Sequence, residues 1–370
     1  MGESPKSILI IKLSAIGDVV HTLPFLEVLR KNFPEARLDW VVEEESIQII
    51  DAHKGIDNVI ISRRKLWQKR LFKGPDRSIV VKEIIQFLKE LRSTKYDLVI
   101  DLQGLFKSAI LTGLSRSKRK IGPNWGREGS QLFLTERPFF VDMDKHAVDK
   151  YLTVAEYLGC ERDSWKGHIP VRESDKRSID KVLHDRGIQD QHLVAINPFA
   201  MWRTKLWEPE RFAALGDRLQ KELACDIVFT GSRRDRAEID KIMQWMNKKP
   251  ANLAGQTSLK ELAYLYSKCR LLVTTDTGPM HIAGAMGCPV VALFGPTAPW
   301  RTGPYGDGHR VIREEIECSP CFKKTCDHLS CMKNITVDKV FETVKGLINV
   351  RSAQREDWSN GVRRRLKPVG

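Results

Sequence analysis

The chain has 370 residues, 42% hydrophobic and 29% charged, a composition that supports two folded cores and excludes a disordered or fibrous protein. With 61 Lys and Arg against 47 Asp and Glu, its net charge of +14 points to an anionic partner: nucleic acid, a membrane surface or an acidic substrate. No apolar run approaches the roughly 20 residues that span a bilayer, and MGESPKSILIIKL carries no cleavage signal, so the sequence predicts a cytoplasmic protein.

Apolar strand-like runs alternate with amphipathic helical stretches: SILIIKL, LPFLEVLRKNF, RLDWVVE, then YDLVIDL and KSAILTGLS. The alternation reads as βαβ units around a parallel sheet. The pattern loosens from about residue 165, and HLVAINP, CDIVFTG, RLLVTTD and PVVALFG open a second series. The sequence thus predicts two Rossmann-like domains, residues 1–170 and 171–350, followed by a basic tail, 351–370. In such sheets ligands sit beyond the carboxyl ends of the strands, which directs attention to SAIGD, QGLFKS, FAMWRTK and TGPMH.

In KLSAIGDVVHTLP, Gly17 and Asp18 form a turn before a helix expected to start near Thr22 with Pro24 in its first turn. Asp18 is either a turn cap or a carboxylate base for a hydroxyl nucleophile. In NPFAMWRTKLWEPERF, Lys205 follows a strand and precedes a helix start, where a lysine neutralises a leaving phosphate or is simply solvated. In TTDTGPMHIAGAMG, Asp276, Thr277, Gly278 and His281 enter a small-residue helix whose N–H groups suit a diphosphate. No G-x-G-x-x-G fingerprint is present, which disfavours a nicotinamide enzyme.

Taken together, KLSAIGDVVHTLP, WVVEEE, DLQGLFKSA, Lys205-Leu-Trp and DTGPMH with FGPT resemble glycosyltransferase family 9, the lipopolysaccharide heptosyltransferases, over residues 7 to 350. Within that family the chain is most similar to the enzymes that add the first heptose. The resemblance implies an α/β protein of GT-B architecture, two facing Rossmann-like domains with parallel sheets. The N-terminal domain would bind acceptor and the C-terminal domain ADP-heptose, with inversion at the sugar carbon and neither cofactor nor divalent metal.

By the same resemblance Asp18 stands at the position of the catalytic base and Lys205 at that of the leaving-phosphate lysine. Thr277, Gly278 and His281 stand where the diphosphate is held, and Asp235 where relatives carry a ribose-associated Glu. Ala200 and Met201 replace paired threonines that relatives can carry, which leaves Thr204 or backbone groups to compensate. Arg63, Arg64, Lys107, Arg127, His146 and Lys150 match or approximate positions that bind the acidic Kdo-lipid A acceptor. The basic-aromatic segment SRRKLWQKRLF and the tail are candidates for anionic headgroups, making the protein peripheral at the cytoplasmic face of the inner membrane.

Cys318, Cys321, Cys326 and Cys331 form a cluster that either holds a structural metal or packs as thiols. Catalysis would not depend on it. Two further readings are a family relative that adds a later sugar and a non-catalytic polyanion- or membrane-binding protein. Scattered charge without a nucleic-acid module argues against nucleic acid.

Overall fold

The computed structural model describes residues 4–74, 77–162, 165–189 and 192–349; the basic tail lies outside them. The chain forms two compact units, Met1–Pro170 and Val171–Gly370.

The first unit is built on strands β1 (Ser7–Ile11), β2 (Arg37–Glu43), β3 (Asn58–Ser62), β4 (Leu98–Asp101) and β5 (Lys120–Ile121). They pair in parallel in the order β3-β2-β1-β4-β5. Four consecutive residues of β1 and all of β4 are buried, as expected of strands covered on both faces. The longer helices of this unit are α1 (Ile16–Asn32), α2 (Arg64–Lys73), α3 (Arg77–Leu91), α4 (Phe106–Leu114) and α5 (Ala147–Tyr157). Trp67, Val80, Phe87, Leu91 and Leu111 of α2, α3 and α4 pack in one core with Leu9, Ile11, Val41, Ile60 and Val99 of the sheet.

The second unit repeats the plan with β6 (Leu193–Asn197), β7 (Asp226–Phe229), β8 (Ala251–Asn252), β9 (Leu271–Thr275), β10 (Val290–Phe294) and β11 (Arg310–Arg313). All pair in parallel in the order β8-β7-β6-β9-β10-β11. Its helices are α6 (Glu173–His184), α7 (Pro209–Glu222), α8 (Arg236–Gln244), α9 (Leu259–Lys268) and α10 (Gly278–Ala285), with a further helix over 337–349. The loosened stretch after residue 165 therefore contains a helix, α6, held by the buried Ile179 and Leu183.

Counted within each unit, both strand orders begin 3-2-1-4-5, the doubly wound Rossmann order. The order reverses between β1 and β4 in the first unit and between β6 and β9 in the second. In doubly wound sheets ligands bind beyond the strand ends at such a reversal.

One local expectation fails. The first helix begins at Ile16, not near Thr22, and Pro24 lies inside it. Asp18 occupies the third helical position and accepts the Ala15 N–H at 3.1 Å, while the Thr22 hydroxyl donates back to the Asp18 carbonyl at 2.7 Å. These bonds nucleate the helix a turn and a half earlier than Pro24 suggests.

Candidate active site

In both units a lysine ties together the two loops that flank the reversal. In the first, Lys107 at the start of α4 donates to Ser14 Oγ at 2.7 Å, across from β4 to the loop after β1. Gln103 Oε1 reinforces the tie by accepting the Leu13 and Ser14 N–H groups at 3.1 Å each. Asp101 shapes the second loop, taking the Gln103 and Gly104 N–H groups and the Ser108 hydroxyl. Gly104 has a φ of +65°, and a Cβ there would come within 2.9 Å of the Trp125 ring, so a larger residue would push the loops apart.

Asp18 lies beside this tie. Its helix-capping bond uses Oδ2, while the side chain stays 46% exposed, enough to meet a substrate. The buried Lys12 ammonium stands 3.9 Å from Asp18 Oδ2 and 5.3 Å from the centre of the Tyr151 ring. Burial alone would depress the Lys12 pKa; Tyr151, Asp18 and Asp101 outweigh it and hold the ammonium charged.

Glu43, at the end of β2, is a residue that sequence reasoning missed. It is 1% exposed, and Oε1 accepts from Lys107 at 3.1 Å and from Arg64 Nη2 at 3.0 Å. Lys65 stands 3.6 Å from the other oxygen. Burial would raise its pKa, yet Lys107 and Arg64 draw it below the usual carboxylate value. One buried carboxylate thus collects two of the predicted acceptor-binding cations. A Glu within the run EEES gives no sign of burial; the signal was its place directly after the buried apolar run Trp40, Val41 and Val42 of the same strand.

The remaining acceptor candidates are distributed around the same end of the sheet. Arg63, after β3, pairs with Glu44 at 2.9 Å. Arg127 is exposed, and its N–H donates to the Gly104 carbonyl at 2.8 Å, joining the loop after β5 to the reversal. His146 caps α5 by accepting the Val148 N–H at 3.2 Å and meets the His21 ring edge-on at 5.3 Å. Lys150, one turn further along α5, is buried at 9% exposure.

In the second unit the tie is an ion pair. Lys205 follows β6 in a short 3-10 turn and reaches Asp276 Oδ2 at 2.5 Å; Asp276 follows β9. Thr297 donates to the same oxygen at 2.6 Å, and the Trp202 ring lies 4.6 Å below the ammonium. Directly after Asp276, Thr277 caps α10 without a side-chain bond to the helix, and Gly278 and His281 sit in its first turns. A lysine and the positive end of a helix are thereby brought to one point, an arrangement suited to a phosphate.

Two donor candidates are engaged elsewhere. Thr204 is buried and donates to the Lys323 carbonyl at 2.8 Å. Asp235 precedes α8, where Oδ2 accepts the Ser232 N–H and hydroxyl at 2.7 and 2.6 Å.

The Lys323 contact belongs to the cysteine segment. Cys321 and Phe322 donate their N–H groups to the Pro296 carbonyl, Ser319 donates to Gly295, and the Lys324 ammonium lies 5.2 Å from the Trp202 ring. The segment therefore braces both the Lys205 loop and the Thr297 loop. Cys318 is exposed and Cys331 buried. Burial raises the Cys331 pKa, and the other three thiols raise it further. Among the described residues no three His, Cys, Asp or Glu side chains are arranged to hold a metal ion.

Two doubly wound parallel-sheet units, with a carboxylate at the reversal of the first and a lysine beside a helix N-terminus at the reversal of the second, have the architecture of the GT-B class. Residues 84–331 match the profile of glycosyltransferase family 9 (heptosyltransferase), and the chain belongs to that family. It is 30% identical to the Lipopolysaccharide heptosyltransferase 1 of Pseudomonas aeruginosa, covering 87% of each chain. It is 28% identical to the Lipopolysaccharide heptosyltransferase 3 of Escherichia coli K12, over 76% of this chain and 80% of that one. Among solved structures, the E. coli heptosyltransferase WaaC with ADP superposes with a TM-score of 0.74 at 26% identity, covering 92% of this chain and 99% of the other. The reading as a non-catalytic polyanion-binding protein falls with the family assignment.

Proposed function

We propose that this enzyme transfers L-glycero-D-manno-heptose from ADP-heptose to the Kdo-lipid A inner core, inverting the sugar carbon in a single displacement. The acceptor hydroxyl oxygen attacks the anomeric carbon and gives its proton to Asp18. The bond from that carbon to the diphosphate oxygen breaks, and ADP leaves with the electron pair. Lys205 and the first turn of α10 stabilise the negative charge that grows on the departing phosphate. Residues 1–170 take the acceptor, through Arg63, Arg64, Lys107, Arg127, His146 and Lys150. Residues 171–350 take the donor, through Thr204, Asp235, Asp276, Thr277, Gly278 and His281. Thr204 enters through its hydroxyl lone pairs and Asp235 through Oδ1. The chain needs no metal for the transfer and works at the cytoplasmic face of the inner membrane, where a lipid-anchored acceptor is reached.

The observation that carries this reading is the Lys205–Asp276 pair at the entrance of α10. The relative solved with ADP and the relative named heptosyltransferase 1 support the donor and the first-heptose step. Similarity to a heptosyltransferase 3 favours one second reading, transfer to a later position of the same core. Incubation with ADP-heptose and either Kdo2-lipid A or a core already carrying heptose separates the two by the mass of the lipid product. Addition of one heptose to the first acceptor is expected. No added mass on that acceptor overturns the first-heptose assignment.

A further inference from the structure

Helices α2, α3 and α4 bury one stripe on the sheet, and their outer faces are unusually apolar. They carry eight of the sixteen exposed large hydrophobic side chains among the described residues. Phe72, at the end of α2, is 83% exposed. On α3, Val81 and Ile85 lie one turn apart, and on α4 Phe106, Ile110 and Leu114 form a stripe with the same spacing. Exposed cations accompany them: Lys69 on α2, and Arg77, Lys82 and Lys89 on α3, while Lys65 of α2 is held by Glu45 at 2.5 Å. No acidic side chain of these helices is exposed among the described residues, because Glu83 is held by Trp67 and Arg70 and Glu90 is half-buried.

We propose that the outer face of α2, α3 and α4 is the surface by which the enzyme docks on an anionic lipid bilayer. The apolar side chains enter the headgroup boundary while the lysines meet lipid phosphates. The charge pattern selects this occupant. A second copy would set like charges against one another, whereas an anionic bilayer satisfies cations and apolar groups together. The proposal sharpens the sequence expectation and departs from it in part. In SRRKLWQKRLF, Trp67 is buried in the core and Arg64 is held by Glu43, so the insertion falls to Phe72 and to α3 and α4. It rests on the reading above, in that a lipid-anchored acceptor requires an enzyme held at the membrane.

The test is co-sedimentation of the full chain with vesicles of phosphatidylcholine, alone or mixed with phosphatidylglycerol, in the absence of substrate. Binding to the mixed vesicles that weakens with salt is expected, and each of Lys82→Gln and Lys89→Gln should lower it about fivefold. Val81→Ser with Ile85→Ser should abolish it while leaving the melting temperature and transfer to a deacylated, water-soluble acceptor intact. The proposal is overturned if the wild type sediments with neither vesicle or if the variants sediment like the wild type. It is equally overturned if the substitutions alter self-association and not vesicle binding. Vesicle binding by a protein that transfers no heptose would leave the docking surface standing and remove the proposed reaction.

Discussion

Lys205 and Asp276 join the loops after the first and fourth strands of the second unit through a 2.5 Å ion pair, and Asp276 is 6% exposed. Removing the lysine alone leaves a buried carboxylate with only the Thr297 hydroxyl, which in comparable pairs costs about 3–5 kcal/mol. Lys205→Ala is therefore expected to lower both stability and turnover. The Lys205→Ala, Asp276→Ala double variant separates them: it should recover much of the melting temperature while kcat stays down by about 10² or more. Recovery of turnover together with stability would assign Lys205 a purely structural role.

Glu43 gathers Lys107 and Arg64 from the first turns of two different helices, α4 and α2, so its charge decides where those cations point. Glu43→Gln keeps the shape but releases both, and acceptor KM should rise about tenfold, the scale of one charge-assisted hydrogen bond, with donor KM unchanged. Steady-state kinetics with each substrate varied in turn checks this. Equal effects on both substrates would indicate general loosening of the fold.

The strands were legible in the amino-acid sequence because burial on both faces forces runs such as LLVTT and VVALF, which no surface segment shares. Strand order was not legible, since it is fixed by contacts between runs far apart in the chain, and so the pairing of Lys107 with Ser14 could not be foreseen. Asp18 was legible as a candidate because a Gly-Asp turn follows a strand. The position of its helix was misjudged because Pro24 outweighed a capping interaction that depends on the fold of Ala15. The engagement of Thr204 by Lys323 spans 119 residues and leaves no local trace.

Glu27 on α1 shows how a single carboxylate ties distant chain to this unit. It accepts the Lys166 and Gly167 N–H groups at 2.6 and 3.0 Å and lies 3.6 Å from His53. Burial pushes its pKa up, but His53 and the two N–H groups bring it down to about 2, against an ordinary 4.5. A carboxyl group with a depressed pKa contributes stability that is complete above its unfolded value and is lost as pH falls toward the folded one. After allowance for solvent screening the contribution is about 1–2 kcal/mol. Denaturant titrations should show Glu27→Gln less stable than wild type at neutral pH, the difference closing between pH 4.5 and about 2. A difference that persists below that window would mean lost packing and not lost charge.

Asp18 caps a helix and is still open to a substrate, so the two readings the sequence offered as alternatives do not exclude each other. Oδ2 caps α1 through the Ala15 N–H, and the side chain is nearly half exposed at the reversal between β1 and β4. A neutral hydroxyl is a poor nucleophile, and a positioned base typically contributes about 10² to 10⁴ in rate. Asp18→Asn retains a side-chain oxygen that can accept the Ala15 N–H, so the cap survives; proton acceptance is lost, together with the charge facing Lys12, which Tyr151 and Asp101 still offset. It should unfold within about 0.5 kcal/mol of wild type, as does a substitution that preserves its cap, and bind ADP normally. Its kcat should fall by about 10² or more. Asp18→Ala adds the loss of the cap, about 1 kcal/mol, without a much larger fall in kcat. Single-turnover transfer measured beside thermal unfolding distinguishes the roles. If Asp18→Asn matches the wild-type rate per folded molecule, the carboxylate only caps the helix and another group accepts the proton.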